Sequence, residues 1–82
     1  MPSTGRYDVV LEPKRTKEDD AVILEFKVFN GRKENSQEDT VKAAHRQIEE
    51  KQYAADLESR GIPQEHIRKY GFAFRGKEVL IG

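Results

Sequence analysis

The fold is decided by the stretch AVILEFKVF, residues 21–29, which is the most apolar run in the chain. Its β-branched and aromatic side chains predict a strand. Because side chains alternate between the two faces of a strand, Glu25 and Lys27 point to the same face. An ionised side chain in a buried strand costs several kcal/mol unless it is paired or bound to a metal. We therefore expect a charged partner for Glu25 and Lys27.

Two further elements are predicted on either side of this strand. Residues 6–11 carry a tyrosine, two valines and a leucine and predict a second strand, which the polar loop of residues 14–20 joins to the first as a hairpin. Residues 36–60 are rich in Ala, Glu, Lys and Gln and predict one long helix. Gly61 suits the position just past the end of that helix.

The C-terminal quarter of the chain predicts a short helix and a hairpin. Pro63 can open a short helix that extends to about residue 69. Residues 72–74 and 78–81 are short apolar runs on either side of an Arg-Gly-Lys turn, which predicts two paired strands. The predicted order is β-β-α-(short α)-β-β, an α+β domain with a mixed β-sheet that spans residues 1–82.

The composition excludes several classes of protein. A chain of 82 residues allows one domain with a thin core. Its 15 basic and 15 acidic residues argue against a basic tail that binds nucleic acid. The absence of cysteine excludes disulfide scaffolds and zinc-thiolate sites, and His45 and His66 are too few for a metal site made of histidines alone. Without a bilayer-length apolar run or a signal-peptide pattern, we expect a cytoplasmic protein with no membrane partner.

An aspartate in the N-terminal strand suggests a site. Asp has a poor β propensity, yet Asp8 lies inside the predicted strand, where a hairpin could place it beside Glu25. Two neighbouring carboxylates repel each other, and a divalent cation such as Mg²⁺ removes that repulsion. The Lys27 ammonium would then suit a phosphate. Two structural alternatives stay open: an ion pair between Glu25 and Lys27, and a turn-capping role for Asp8 beside Gly5.

Four segments in order carry a resemblance to a known family. They are GRYD at residues 5–8, ILEFKV at 23–28, QIEEKQY at 47–53 and YGFAFRGK at 70–77. The first two resemble the motif core of the PD-(D/E)XK nuclease superfamily. The whole set resembles the nuclease-like domain at the C-terminus of a group of bacterial AAA-ATPase-like proteins, a restriction-endonuclease-like core.

The resemblance implies a role for each matching residue. Asp8 and Glu25 would be metal ligands, with the backbone carbonyl of Phe26 as a further ligand, and the metal would be Mg²⁺ or Mn²⁺. Lys27 would be the catalytic lysine, and Gln47 would approach the site from the helix. Six residues along a regular helix rotate by about 240°. We therefore predict that Tyr53 lies away from Gln47, packed against a neighbouring layer or at an edge.

The family core also implies elements that this chain lacks. Superfamily members commonly build an α-β-β-β-α-β core, and only residues 1–4 precede the first motif. We therefore expect a truncated core, the C-terminal fragment of a larger protein, with one apolar sheet face or edge uncovered. A homodimer through that face or edge would bury it. The face is predicted to include Tyr7, Val9 and Leu11, or alternate residues of the strand at 21–29.

The charges are unevenly distributed along the chain. The helical region is acidic, whereas five basic residues and one glutamate lie between Arg60 and Lys77. The basic segment could contact phosphates, with a solvated surface as the alternative.

Three functions compete at this stage. The first is a metal-dependent nuclease that hydrolyses phosphodiester bonds of DNA. The second is a non-catalytic interaction or oligomerisation domain derived from the same fold. The third is a regulatory module that binds nucleic acid, which the zero net charge disfavours.

Overall fold

A computed structural model describes residues 6–15 and 18–82, with side chains from Asp8 onward. Its four strands form one sheet in the order β1-β2-β3-β4. The central pair β2–β3 is parallel and both outer pairs are antiparallel, which confirms the α+β class and the mixed sheet. The elements are β1 (Arg6–Leu11), β2 (Ala21–Val28), α1 (Gln37–Glu50), α2 (Tyr53–Ser59), a single turn of 3-10 helix (Gln64–His66), β3 (Ile67–Arg75) and β4 (Glu78–Ile81).

The long helix predicted for residues 36–60 is divided into two. It begins as expected, with the Ser36 hydroxyl accepting the backbone N–H of Asp39 at 3.4 Å. It then ends at Glu50, and Gln52 takes the left-handed conformation with φ 58°. A left-handed residue cannot continue a right-handed helix, so α2 starts afresh at Tyr53. Neither helix in the described part of the chain is long and apolar enough to cross a bilayer.

The short helix expected from Pro63 to residue 69 is reduced to one 3-10 turn. Ile67 already begins β3, pairing with Ala21 of β2 in parallel register. The strand starts early because β1 pairs with only one edge of β2. The backbone N–H and C=O groups on the other edge need a partner strand when they are buried. Gly61 lies at the predicted position after α2, with a positive φ of 97°.

Both helices cover one face of the sheet. The core on that face is formed by five side chains that are at most 2% exposed: Ala21, Ile23, Ile48, Leu57 and Ile62. Gly71 allows α1 to approach β3 closely, because a Cβ atom there would lie 3.0 Å from the Cβ of Ala44 and 3.2 Å from the carbonyl oxygen of Val41. This close contact fixes the height of α1 above the sheet.

The opposite face is apolar and exposed. Among the side chains that the structure describes, five large hydrophobic residues are 41–53% exposed, and strand register places them all on this face: Leu11, Val28, Tyr70, Val79 and Ile81. The Phe26 ring stacks there on Phe72 and Phe74, with centroids 4.8 Å and 6.2 Å apart. We call this set of side chains the open face. It includes Leu11 and alternate residues of β2, as the sequence predicts.

Candidate functional site

Two carboxylates lie side by side on the helix-covered face. Asp8 and Glu25 are direct partners in the antiparallel register of β1 and β2, so their side chains share a face. Glu25 is fully buried, and Asp8 is half-buried. Lys27 lies two residues beyond Glu25 on the same face. The register thus brings together three of the residues that the family resemblance implies.

An ammonium group and a hydroxyl converge on one oxygen of Asp8. The Lys51 Nζ donates to Asp8 Oδ2, and the Tyr53 hydroxyl donates to the same oxygen at 2.7 Å. The hydrogen bond to Asp8 raises the pKa of Lys51; burial opposes it, and the negative charge of Glu25 adds to it. Burial, then the hydrogen bond to Asp8, raises the pKa of the Tyr53 phenol. At neutral pH the two carboxylates therefore face a charged lysine and a neutral tyrosine.

Tyr53 packs against the core, as the sequence predicts, but its hydroxyl also reaches Asp8, which the sequence did not predict. A regular helix would have turned Tyr53 away, but the left-handed Gln52 breaks the helix and directs the Tyr53 side chain to Asp8. No glycine or proline at residues 51–52 signals the break. Lys51 is a further site residue that sequence reasoning missed, because its contact with Asp8 spans 43 residues.

Lys27 has a buried carboxylate as its partner. The Lys27 Nζ lies 3.2 Å from Glu34 Oε2. Glu34 is 8% exposed, and its Oε1 accepts the Asn30 backbone N–H at 2.9 Å and the Thr40 hydroxyl at 2.8 Å. Burial alone would raise the pKa of this carboxyl, but those hydrogen bonds and Lys27 outweigh burial and leave the pKa lowered. A charged Glu34 therefore fixes the position of Lys27. The sequence had a weak signal for it, since Glu34 is the next acid after Lys27.

Gln47 and Lys27 line one cleft between α1, the end of β2 and the loop that follows β2. The cleft has a volume of about 360 Å³ and is lined by Lys27, Lys33, Glu34, Asp39, Lys42, Ala43, Arg46 and Gln47. We call it the Lys27 cleft. Phe26 contributes only its main chain to this side of the sheet, because its ring stacks on Phe72 on the open face.

The donor set at Asp8 and Glu25 fits a hard divalent cation. Carboxylate oxygens are the ligands that Mg²⁺ and Mn²⁺ prefer, and Mg²⁺ is usually held by one or two carboxylates plus water and substrate phosphate. Within residues 6–15 and 18–82, no group of three or more His, Cys, Asp or Glu side chains suited to a metal occurs. A cation here would thus depend on this pair, with main-chain, water or substrate oxygens completing its shell.

The fold and this arrangement define a class: an α+β domain with two adjacent carboxylates and a lysine on the helix-covered face of a mixed sheet. A family model described as PD-(D/E)XK nuclease superfamily matches residues 2–82. The chain therefore belongs to the PD-(D/E)XK nuclease superfamily, as its motifs predicted. Comparisons with curated proteins and with solved structures found no match.

Proposed function

We propose that this chain is a metal-dependent nuclease domain that hydrolyses phosphodiester bonds of DNA in the cytoplasm. The observation that carries the proposal is the cross-strand pairing of Asp8 with Glu25, with Lys27 on the same face. Membership of the nuclease superfamily supports the reaction class.

Each residue has a role in this proposal. Asp8 and Glu25 would hold Mg²⁺ or Mn²⁺, with the main-chain carbonyl of Phe26 as a further ligand. When bound, the ion supplies an activated water and offsets the charge of the scissile phosphate. Lys27, held in place by Glu34, donates to the phosphate where negative charge develops. Gln47 offers an amide on the α1 side of the same cleft to orient the phosphate or the water.

Lys51 sets a condition on metal binding. Its ammonium supplies the positive charge beside Asp8 and within the field of Glu25. Asp8 and Glu25 would hold a divalent cation in competition with this ammonium, and Lys51 would move away from Asp8 on binding. Lys51 is 32% exposed at its side chain and lies next to the helix break, where such a movement needs no change in the core.

A nicking assay tests the reaction. Parent protein is expected to nick supercoiled plasmid in Mg²⁺ but not in EDTA, and Lys27→Met is expected to abolish nicking. Lys77→Met is the matched control, because Lys77 is an exposed lysine in the turn between β3 and β4. Equal nicking by Lys27→Met and the control would contradict the proposal.

The open face favours a second candidate function, homodimerisation. Five large hydrophobic residues are exposed on one side of the domain. Burying them against a partner would contribute about 25 cal/mol per Å² of apolar surface removed from water. An apolar face of this composition can pair with the same face of a second copy across a two-fold axis. Since Asp8 and Glu25 lie on the opposite face, a dimer of this kind would not cover the site. Dimer and nuclease are therefore compatible, and a domain that dimerises without cleaving DNA is the alternative.

Light scattering tests the dimer. The parent is expected at twice the chain mass of 9.5 kDa, and Val79→Glu is expected to shift it to the monomer because it places a charge in the open face. The matched control is Glu78→Gln, the exposed neighbour whose side chain points to the other face. A parent that is monomeric at micromolar concentration would contradict this proposal and leave the nuclease proposal intact.

A further inference from the structure

The Lys27 cleft contains more positive charge than the proposed chemistry uses. Four basic and two acidic side chains line it. Lys27 is paired with Glu34, and the second acid, Asp39, accepts the Asn35 backbone N–H at 3.0 Å. The remaining cations are Lys33, from the loop after β2, and Lys42 and Arg46, from α1.

These three cations have no ion pair among the described residues, whereas several other basic side chains of the fold are paired. Elsewhere Arg60 pairs with Glu12 and Asp56, Arg68 with Asp20 at 3.1 Å, and Lys69 with Glu49 at 2.6 Å. Three of the five basic residues in the segment from Arg60 to Lys77, which the sequence suggested for phosphates, are therefore paired with acids. In the described part of the chain, unpaired positive charge also lies on α1, whose sequence is acidic overall: Lys42 and Arg46 line the cleft.

Two of these cations share one side of α1. Lys42 and Arg46 are four residues apart on α1, where like charges lie on one side of the helix and cost about 0.2–0.5 kcal/mol. Lys33 faces them from a loop that is held in place: its N–H donates to the Asn30 carbonyl at 3.1 Å, and Glu34 bonds the Asn30 N–H. Because Glu34 also contacts Lys27, one buried carboxylate positions both Lys27 and the loop that carries Lys33.

We propose that Lys33, Lys42 and Arg46 bind the phosphates next to the scissile phosphate of a DNA strand. The assignment rests on the proposed function, which puts the scissile phosphate at Lys27. Exposed lysine and arginine side chains bind phosphates through charge, with release of counterions, and carry no base preference. The Lys27 cleft thus sets where the strand runs: from the Asp8 and Glu25 pair along the outer side of α1.

Salt-dependent DNA binding tests this surface. Fluorescence anisotropy with a labelled duplex oligonucleotide in EDTA measures binding without cleavage. The double variant Lys42→Ala/Arg46→Ala is expected to reduce the slope of log K against log salt by about 2, one for each lost phosphate contact. The matched control is Lys14→Ala/Lys77→Ala, which removes two exposed cations outside the cleft and is expected to keep the parent slope.

The outcomes separate this inference from the nuclease proposal. Equal slopes for the cleft variant and the control overturn the inference, as does a parent that does not bind the duplex, whatever the nicking assay shows. A cleft-specific loss of slope together with a parent that never nicks plasmid supports the DNA surface and contradicts the nuclease. Circular dichroism of both double variants verifies that the fold is retained.

Discussion

The Lys27 ammonium lies 3.2 Å from the carboxylate of Glu34, a residue that is itself almost fully buried. Glu34 accepts hydrogen bonds from the Asn30 N–H and the Thr40 hydroxyl on its other oxygen. Lys27 is therefore held by a carboxylate that the fold keeps charged. A lysine in fixed position can act on a phosphate without first losing rotamer freedom.

Glu34 predicts a pH dependence of stability. Its pKa is lowered in the folded chain relative to the ordinary value of 4.5, so its contribution is complete above that value and is lost as the pH falls through the folded pKa. The thermal midpoint of the parent should therefore fall on acidification below about pH 4.5, and Glu34→Gln should show a smaller fall at a lower starting stability. Melting curves at a series of pH values measure both. An identical pH profile for parent and variant would exclude this role.

Replacing Lys51 should tighten metal binding. Lys51→Met removes the ammonium that contacts Asp8 and that, in the proposed function, competes with a divalent cation for this carboxylate. Because an exposed or half-exposed ion pair is worth about 1 kcal/mol at most, the Mn²⁺ affinity should rise roughly five-fold. Titration calorimetry measures it. Lys69→Met is the matched control, since Lys69 of β3 pairs with Glu49 near the end of α1. In the described ion pairs, Lys69 contacts neither Asp8 nor Glu25. Weaker Mn²⁺ binding in Lys51→Met would mean that the lysine supports the ion instead of competing with it.

The Tyr53 hydroxyl should contribute to stability through Asp8. Tyr53→Phe keeps the ring that packs against the core and deletes the hydrogen bond, and such a bond to a charged group is worth about 1.5–3 kcal/mol. Urea unfolding should show that Tyr53→Phe lowers the free energy of unfolding by an amount at the lower end of that range. Tyr70→Phe, which alters an exposed tyrosine on the open face, should leave the free energy of unfolding unchanged. Equal losses in the two variants would contradict the assignment.

The helix break at Gln52 should tolerate glycine but not a β-branched residue. With φ at 58°, Gln52 is in a region that costs L-residues about 1–2 kcal/mol and β-branched residues the most. Gln52→Val should therefore lower the free energy of unfolding by at least about 1 kcal/mol, whereas Gln52→Gly should not lower it. Chemical unfolding of both variants measures the difference. A stable Gln52→Val variant would indicate a continuous helix that carries Tyr53 away from Asp8.

The strands could be predicted from the sequence where apolar residues cluster or alternate with polar ones. The strands at residues 6–11 and 78–81 lie where their apolar patterns indicate, and the hairpin places Asp8 opposite Glu25. The helix break could not be predicted, because Gln52 is an ordinary helix former and its left-handed conformation is imposed by tertiary contacts.

The residues that contact Asp8 and Lys27 could not be predicted from the sequence either. Lys51 and Tyr53 meet Asp8 across 43 and 45 residues, and Glu34 reaches Lys27 from a loop whose composition is that of a solvated turn. Such contacts depend on the height and rotation of α1 over the sheet, which close packing at Gly71 sets. Family motifs pointed to the two acids and the lysine that share one face of the sheet, but not to the residues that hold them.

The central claim is that Asp8 and Glu25 share one divalent cation, and Mn²⁺ titration calorimetry on Asp8→Asn tests it most directly. The amide oxygen introduced by this substitution can still accept the Tyr53 hydroxyl, so the variant should fold. The parent is expected to bind one Mn²⁺ per chain and Asp8→Asn to lose that binding, while Asp20→Asn, which alters an exposed aspartate paired with Arg68, keeps it. Unchanged Mn²⁺ binding in Asp8→Asn, or no binding by the parent, would contradict the account.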